Sequence, residues 1–214
     1  DFDDYTIGTA LNVNTAKYTH TWDSVLQSGA SVSIQKNALR TGDKVLAIQG
    51  NALVSSAKVP SYITDGDHYA KQQTWETTFS LSSLPTGSAE AKLLVATSGS
   101  DANADGGFRI SNNTLYYSTA NGYQAFGGFS LSAGTEYTLK RVIDFRNANA
   151  FTCSYYVYDA NDRQLTKAEN VSMANVQLPV TKINFSTENF GSNALYVDDY
   201  TLNAIGLTND LEIY

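Results

Sequence analysis

The motif DDYT occurs twice, once near each end of the chain, and supplies two pairs of carboxylates. The pairs are Asp3–Asp4 and Asp198–Asp199. Adjacent residues of a β-strand point to opposite faces, so one aspartate of each pair can face a common site. Two carboxylates together with backbone carbonyls and water are a ligand set that Ca²⁺ accepts. We therefore expect either a structural calcium ion at these residues, or solvated charges that protect a sheet edge from pairing.

Aromatic side chains are the second set of residues with a chemical use. They make up 12% of the chain, and 14 of them are tyrosines. A tyrosine ring packs on the C–H face of a sugar while its hydroxyl hydrogen-bonds to sugar hydroxyls. The stretch YYSTANGYQAFGGF predicts an exposed platform with Tyr117 and Tyr123, although internal packing is the alternative for any single ring. The predicted ligand-binding residues are Tyr69, Tyr117, Asn121, Tyr123, Gln124, Arg141 and Tyr156.

Patterns that would indicate catalysis are missing from the sequence. A glycosidase needs two carboxyl groups about 5–10 Å apart, and no glutamate here has an acidic residue two positions further along the chain. Zinc-protease, serine-hydrolase and phosphate-loop motifs are absent as well. The sequence therefore favours a binding protein, and an enzyme whose catalytic groups form no motif is the alternative.

Composition narrows the class of protein. Charged residues are 16% of the chain, hydrophobic residues 42%, and the net charge is −7. No basic block could follow a nucleic acid backbone, and no run of about 20 apolar residues could span a membrane. A single cysteine, Cys153, excludes an internal disulfide and is expected to be buried. These features favour a secreted or cell-surface bacterial protein, and we expect the chain to belong to a larger multidomain protein.

Hydrophobic alternation and turn residues predict an all-β chain without a linker-like stretch. We expect one domain at residues 1–204 and a tail or linker at 205–214. The core-facing series of the stretch YTLKRVIDF contains Arg141, which predicts a bulge or a solvent-open face there. The predicted strands are Ser31–Ile34, Lys44–Gln49, Trp75–Leu81, Lys92–Thr97, Gly107–Ile110, Leu115–Ser118, Tyr137–Phe145, Phe151–Tyr158, Lys182–Ser186 and Leu195–Leu202.

The order of these segments resembles the concanavalin A-like (laminin-G-like) jelly-roll domains of bacterial secreted and cell-surface proteins. The residues that carry the resemblance are Asp1-Phe2-Asp3, Ile7-Gly8, Trp22, Gly42–Leu46 and the closing stretch LYVDDYTL. The resemblance implies a two-sheet antiparallel jelly-roll β-sandwich whose first and last strands lie side by side, so that the two DDYT motifs are neighbours. It also implies a structural Ca²⁺ near that seam.

Taken together, these patterns predict a non-catalytic carbohydrate-binding module that holds a polysaccharide or glycan through exposed aromatic rings. Two alternatives remain at this stage. One is a glycoside hydrolase or polysaccharide lyase of the same fold, which would need titratable groups that converge in a cleft. The other is a structural or adhesion spacer with no sugar ligand, which would show neither exposed rings nor such groups.

Overall fold

The computed structural model describes residues 2–3, 5–8, 22–56, 70–96, 104–144, 151–173 and 182–207. Apart from turns, the regular secondary structure in these residues consists of β-strands. The strands are β1 (Trp22–Leu26), β2 (Ser31–Lys36), β3 (Lys44–Gln49), β4 (Ala52–Ser56), β5 (Ala70–Leu81), β6 (Glu90–Ala96), β7 (Ala104–Ser111), β8 (Thr114–Thr119), β9 (Gly122–Ala125), β10 (Tyr137–Asp144), β11 (Thr152–Asp159), β12 (Gln164–Ser172), β13 (Lys182–Glu188) and β14 (Ala194–Leu207). In this part of the chain, no helix is long and apolar enough to cross a lipid bilayer.

The strands form two antiparallel sheets of seven strands each. We call the sheet with the order β1–β4–β13–β6–β7–β8–β9 the front sheet. The back sheet has the order β12–β11–β10–β5–β14–β3–β2. Buried hydrophobic residues of both sheets join in one core, so the predicted all-β, two-sheet antiparallel sandwich is confirmed.

Alternation of side chains along each strand builds this core. In β10, buried and half-buried residues alternate without a break from Tyr137 to Asp144. Aromatic rings make the contact between the two sheets: Phe108 of the front sheet lies 6.1 Å from Trp75 and 5.4 Å from Tyr155 of the back sheet, between ring centroids. Because these rings are buried, the residues between them along each strand face outward.

Each of the ten predicted strands corresponds to a strand of the structure, and β3 has the predicted bounds. Four strands were missed, namely β1, β4, β9 and β12. The last strand, β14, continues to Leu207. It therefore runs past residue 204, where the sequence predicted the end of the domain.

The resemblance implied a first strand at the N-terminal DDYT motif, side by side with the last strand. The described residues of that segment, 2–3 and 5–8, form turns and irregular structure and not a strand, and β14 pairs with β5 and β3. The two DDYT motifs are nevertheless close, because the N-terminal segment packs beside β14. The rings of Phe2 and Tyr200 are 6.0 Å apart, and Asp3 Oδ1 accepts a hydrogen bond of 3.1 Å from the backbone N–H of Lys44, the first residue of β3.

Arg141 also differs from expectation. β10 pairs with β5 and with β11 in continuous register, so there is no bulge at this residue. The side chain faces the core and is 1% exposed, which overturns the alternative of a solvent-open face. Its Nε donates a hydrogen bond of 3.2 Å to the Sγ of Cys153, which is itself buried as predicted.

Close packing between β6 and β7 generates a test of this register. A Cβ at Gly107 would lie 2.3 Å from the backbone oxygen of Leu93, whereas a Cβ at Gly127 meets no atom within 4 Å. We expect Gly107→Ala to lower the free energy of unfolding by about 2 kcal/mol or more, because the strands must separate. Gly127→Ala is the matched control and should change the denaturation midpoint little; equal effects of the two changes would contradict the pairing of β6 with β7.

Candidate functional site

One residue from each strand of the front sheet lines up on the face turned away from the core. Cross-strand pairing connects the members of this line, which we call the front row. They are Val25, Leu53, Ser186, Lys92, Arg109, Tyr116 and Ala125. With neighbouring strands ~4.8 Å apart, the row is roughly 29 Å long. Its length and its direction across the strands suit an extended polymer better than a small molecule.

An ion-pair triad fixes the centre of the front row. Glu90 accepts hydrogen bonds from Arg109 Nε at 2.7 Å, and its carboxylate also lies 2.8 Å from Lys92 Nζ. Burial acts to raise the pKa of Glu90, but Lys92 and Arg109 outweigh burial and hold it below the ordinary value. The carboxylate is therefore ionised at neutral pH and holds both cations on the outward face.

Tyr123 stands at the end of the front row, on the β8–β9 hairpin. Its side chain is 37% exposed, and the Arg109 guanidinium carbon lies 5.6 Å from the ring centroid. A guanidinium at this distance is attracted to the face of a tyrosine ring. Glu90 thus positions Arg109, and Arg109 in turn positions an exposed aromatic ring.

The hairpin that carries Tyr123 is held by local hydrogen bonds. The Thr119 hydroxyl donates to the backbone oxygen of Gly122 at 2.9 Å, and the N–H of Asn121 donates to the same hydroxyl at 3.1 Å. The N–H of Ala120 donates to the backbone oxygen of Ser172 at 3.0 Å, which ties the hairpin to the end of β12. The ring therefore sits on an anchored turn.

The other end of the front row opens into a cavity of about 300 Å³. Val25, Leu53 and Ser186 of the row line this cavity together with Glu188. Apolar side chains and hydroxyls of this kind can contact the C–H and O–H groups of a sugar unit. The row thus connects a cavity, two cations and an exposed ring on a single face.

Three of the predicted ligand-binding residues lie together. Asn121, Tyr123 and Gln124 are exposed on the β8–β9 hairpin, as a ligand platform requires. The expectation that Tyr117 is exposed is wrong. Tyr117 is 7% exposed, because its cross-strand partner is the buried Phe108 and its ring packs 4.8 Å from that of Phe126.

The remaining predicted ligand residues lie elsewhere. Arg141 is enclosed in the core and cannot touch a ligand in solvent. Tyr156 lies on the outward face of the back sheet, on the far side of the sandwich from the front row. Tyr69 and Asp4 lie outside the described residues.

Sequence reasoning missed Lys92 and Arg109, which contribute the two cations of the front row. A partial signal was present, because Glu90 and Lys92 are two positions apart in a strand and therefore share a face. Arg109 joins them only through the pairing of β6 with β7. That pairing depends on strand register, which the sequence does not specify directly.

A separate group of carboxylates surrounds β14. Asp198 is 2% exposed, and its Oδ1 accepts a 2.8 Å hydrogen bond from the N–H of Asp199. Its Oδ2 is buried and has no hydrogen-bond donor in the described part of the chain. The side chain of Asp43 approaches both Asp198 and Asp3, so Asp43 is an acid of this group that the sequence did not single out.

Burial raises the pKa of Asp198 to about 7, and the charges of Asp199 and Asp43 act in the same direction. Burial also acts to raise the pKa of Asp43, but hydrogen bonds, that from Asn37 foremost, hold it below the ordinary value. Below about pH 7, Asp198 therefore carries the proton and Asp43 the charge.

A cationic side chain partly covers this acidic group. Arg40 lies in the turn between β2 and β3, and its guanidinium forms an ion pair with Glu136 and another, at 3.5 Å, with Asp199. Among the described residues, no group of three or more His, Cys, Asp or Glu side chains is arranged to hold a metal ion. A cation at Asp43 and Asp198 would therefore draw its other ligands from backbone carbonyls and water.

No protein-family model matches the chain, and a search of curated proteins gave no significant match. Solved structures do share its fold. The endo-β-1,4-glucuronan lyase of the fungus Trichoderma reesei is 14% identical, with a TM-score of 0.58 over 93% of this chain and 94% of the lyase. The marine PL-14 alginate lyase of Aplysia kurodai is 9% identical, with a TM-score of 0.57 over 91% and 92%.

The binding domain of botulinum neurotoxin serotype C1 has the same fold too. It is 11% identical, with a TM-score of 0.51 over 96% of this chain and 50% of that domain. At such identities the likeness establishes the β-sandwich. The chemistry of this chain has to be argued from its own residues.

The raised pKa of Asp198 predicts a pH-dependent stability. A carboxyl whose pKa moves from 3.8 to about 7 on folding costs stability as pH rises through that interval, on the order of 2–4 kcal/mol. In chelator, Asp198→Asn should therefore raise the free energy of unfolding at about pH 8 and have little effect below about pH 4. Denaturant titrations across this range measure the change.

The exposed neighbour offers a matched control for that measurement. Asp199→Asn keeps a residue type that tolerates the positive φ of this position and should leave the pH dependence of unfolding in place. A wild-type protein whose stability is flat between about pH 4 and pH 8 in chelator would contradict the buried-acid account of Asp198.

Proposed function

We propose that this chain is a polysaccharide-binding module of a secreted or cell-surface bacterial protein, and that it binds a carboxylate-bearing polysaccharide along the front row. The observation that carries the proposal is Tyr123, an exposed ring held by Arg109 at the end of a line of outward side chains. Such a ring stacks on a sugar face without first paying much conformational entropy, because it is already positioned.

Charge supports the choice of an acidic polymer. The front row contains two cations, Lys92 and Arg109. Both are ion-paired to Glu90, which lies beside the row and directly across from Glu188. A sugar carboxylate can approach Lys92 or Arg109 from solvent while Glu90 holds the cation from the side. Arg109 presents a planar fork of donors that matches a carboxylate.

The fold neighbours support a saccharide ligand by analogy. Two of them are lyases named for glucuronan and alginate, and another is a toxin binding domain. Secretion, a bacterial source and membership of a multidomain protein are parts of the proposal. They rest on the low charge, the single cysteine and the tyrosine-rich composition.

A polysaccharide lyase is the second candidate function. The front row places the phenol of Tyr116 directly across from Arg109, with Lys92 next in line. A cation that neutralises a sugar carboxylate beside a phenol that transfers a proton is a combination suited to β-elimination. A glycoside hydrolase has less support, although Glu90 and Glu188 lie directly across from each other beside the row. Glu90 is ion-paired to Lys92 and Arg109 and is held ionised, whereas hydrolysis needs one carboxyl that carries a proton.

Binding along the front row can be tested with glucuronan, alginate and a neutral β-glucan. We expect the wild type to bind the acidic polymers, and Tyr123→Ala to weaken that binding by about tenfold because the stacking surface is lost. Tyr123→Phe, which keeps the ring, should retain most of the affinity. Isothermal titration calorimetry measures the constants.

The outcomes of that titration separate the functions. Absence of binding to the acidic polymers would overturn the proposal and favour a spacer, and wild-type affinity of Tyr123→Ala would remove the ring from the site. Release of unsaturated sugars from glucuronan or alginate, seen by their ultraviolet absorbance, would establish the lyase. In that event Tyr116→Phe should abolish the release and leave the affinity in place.

We also propose that Ca²⁺ binds at the acidic group of β14 and stabilises the fold. The support is the chemistry of Asp198, whose Oδ2 is buried without a described donor and faces the carboxylate of Asp43. Two carboxylate charges that face each other repel unless a proton or a cation lies between them.

Calcium binding predicts a pH-dependent effect on the melting temperature. At about pH 8 we expect Ca²⁺ to raise the melting temperature by several degrees over protein in chelator, because the cation binds the folded state alone. At about pH 5 the proton competes and the increase should be smaller. Asp198→Asn should abolish the increase in melting temperature, whereas Asp199→Asn should keep it. A wild-type melting temperature at pH 8 that is the same in Ca²⁺ and in chelator would contradict the calcium proposal.

A further inference from the structure

The outward face of the back sheet carries two tyrosines that the front row does not use. Tyr156 and Tyr158 alternate with the buried Tyr155 and Val157 along β11, so both rings leave the core. Each is partly exposed. Their centroids are 6.4 Å apart and their planes are inclined by 27°, so the two rings form a nearly continuous aromatic surface.

A hydrogen bond to β12 orients one of the two rings. The Tyr156 hydroxyl donates to Glu169 Oε1 at 3.1 Å, and Lys167 Nζ donates to Glu169 Oε2 at 2.6 Å. The Tyr156 ring is therefore held in one position before any ligand arrives. A ring held in this way loses little side-chain entropy on binding.

The charged side chains around the two rings are paired with each other. Lys140 lies directly across from Tyr156 on β10, and its Nζ is 3.4 Å from Glu76 Oε2. Lys167 pairs with Glu169. Two lysines and two glutamates leave this surface without net charge.

Hydroxyl groups complete the surroundings of the rings. Thr138 lies across from Tyr158, and its Oγ1 is 3.2 Å from that of Thr78 on β5. Flat rings, hydroxyls and internally paired charges present both apolar and hydrogen-bonding partners to a ligand. The ligand that matches them has C–H faces, many hydroxyls and no charge of its own.

We propose that this face of the back sheet is a second saccharide site, which binds a neutral glycan on the Tyr156–Tyr158 surface. The two saccharide sites then lie on opposite faces of the sandwich and recognise different polymers, one acidic and one neutral. A single chain joins the two polymers without any further domain. The second site stands on its own residues, so it does not depend on the front row.

The experiment titrates the folded chain with neutral hexasaccharides of β-1,4-glucose, β-1,4-mannose and β-1,4-xylose, and with an oligoglucuronate for comparison. We expect at least one neutral hexasaccharide to bind and to shift the ring-proton resonances of Tyr156 and Tyr158. The double variant Tyr156→Ala/Tyr158→Ala should weaken that binding at least about tenfold. Tyr156→Phe/Tyr158→Phe keeps the rings and should retain most of the affinity, which separates ring stacking from a loss of folding.

Tyr123→Ala distinguishes failure of this site from failure of the front row. It should leave the binding of the neutral hexasaccharide unchanged while weakening the binding of oligoglucuronate. Failure of all three neutral hexasaccharides to bind the wild type would overturn the second site, and so would equal affinities of the wild type and the double alanine variant. A wild-type dimer that the double alanine variant dissociates would overturn it as well, since a second copy of the chain would then cover this face.

Discussion

The contact of Phe108 with Trp75 and Tyr155 is the interaction on which the rest of the structure depends. These rings join the two sheets through the core, and they fix which side of each paired strand is buried. Because alternate residues of a strand face opposite ways, burial of Phe108 turns Arg109 outward and burial of Tyr155 turns Tyr156 outward. Both proposed saccharide surfaces are therefore consequences of how the core is packed.

The sequence identified most of the strongly buried strands, although it missed β4, in which Ala52, Val54 and Ser55 are buried. β3 is buried in the sheet and was found with its bounds. β9 is exposed throughout and β12 alternates irregularly, so neither carries the hydrophobic period that identifies a strand. Arg141 misled the interpretation of β10 because a buried arginine is rare, and only the structure places Cys153 beside its guanidinium.

The sequence predicted some of the residues of the candidate site, but not how strand pairing brings them together. Grouped rings and amides pointed to the β8–β9 hairpin, and Tyr123 is exposed there. Tyr117 was assigned to the wrong face of its strand, because a shift of one residue moves every side chain of a strand to the opposite face. Its pairing with the buried Phe108 shows that it faces the core. Asp43 and Asp198 are far apart in sequence and meet only in the folded chain. The packing of a turn against a distant strand leaves no local pattern in the sequence.

The hydrogen bond between the β8–β9 hairpin and β12 affects whether the sheet edges can pair with those of another molecule. β9 and β12 end their respective sheets, and unpaired strand edges commonly seed aggregation. Here the bond from Ala120 to Ser172 ties these two margins to each other, and Lys167 and Glu169 add charge along one of them. The edges of the two sheets are thus less available for pairing with a sheet of another molecule.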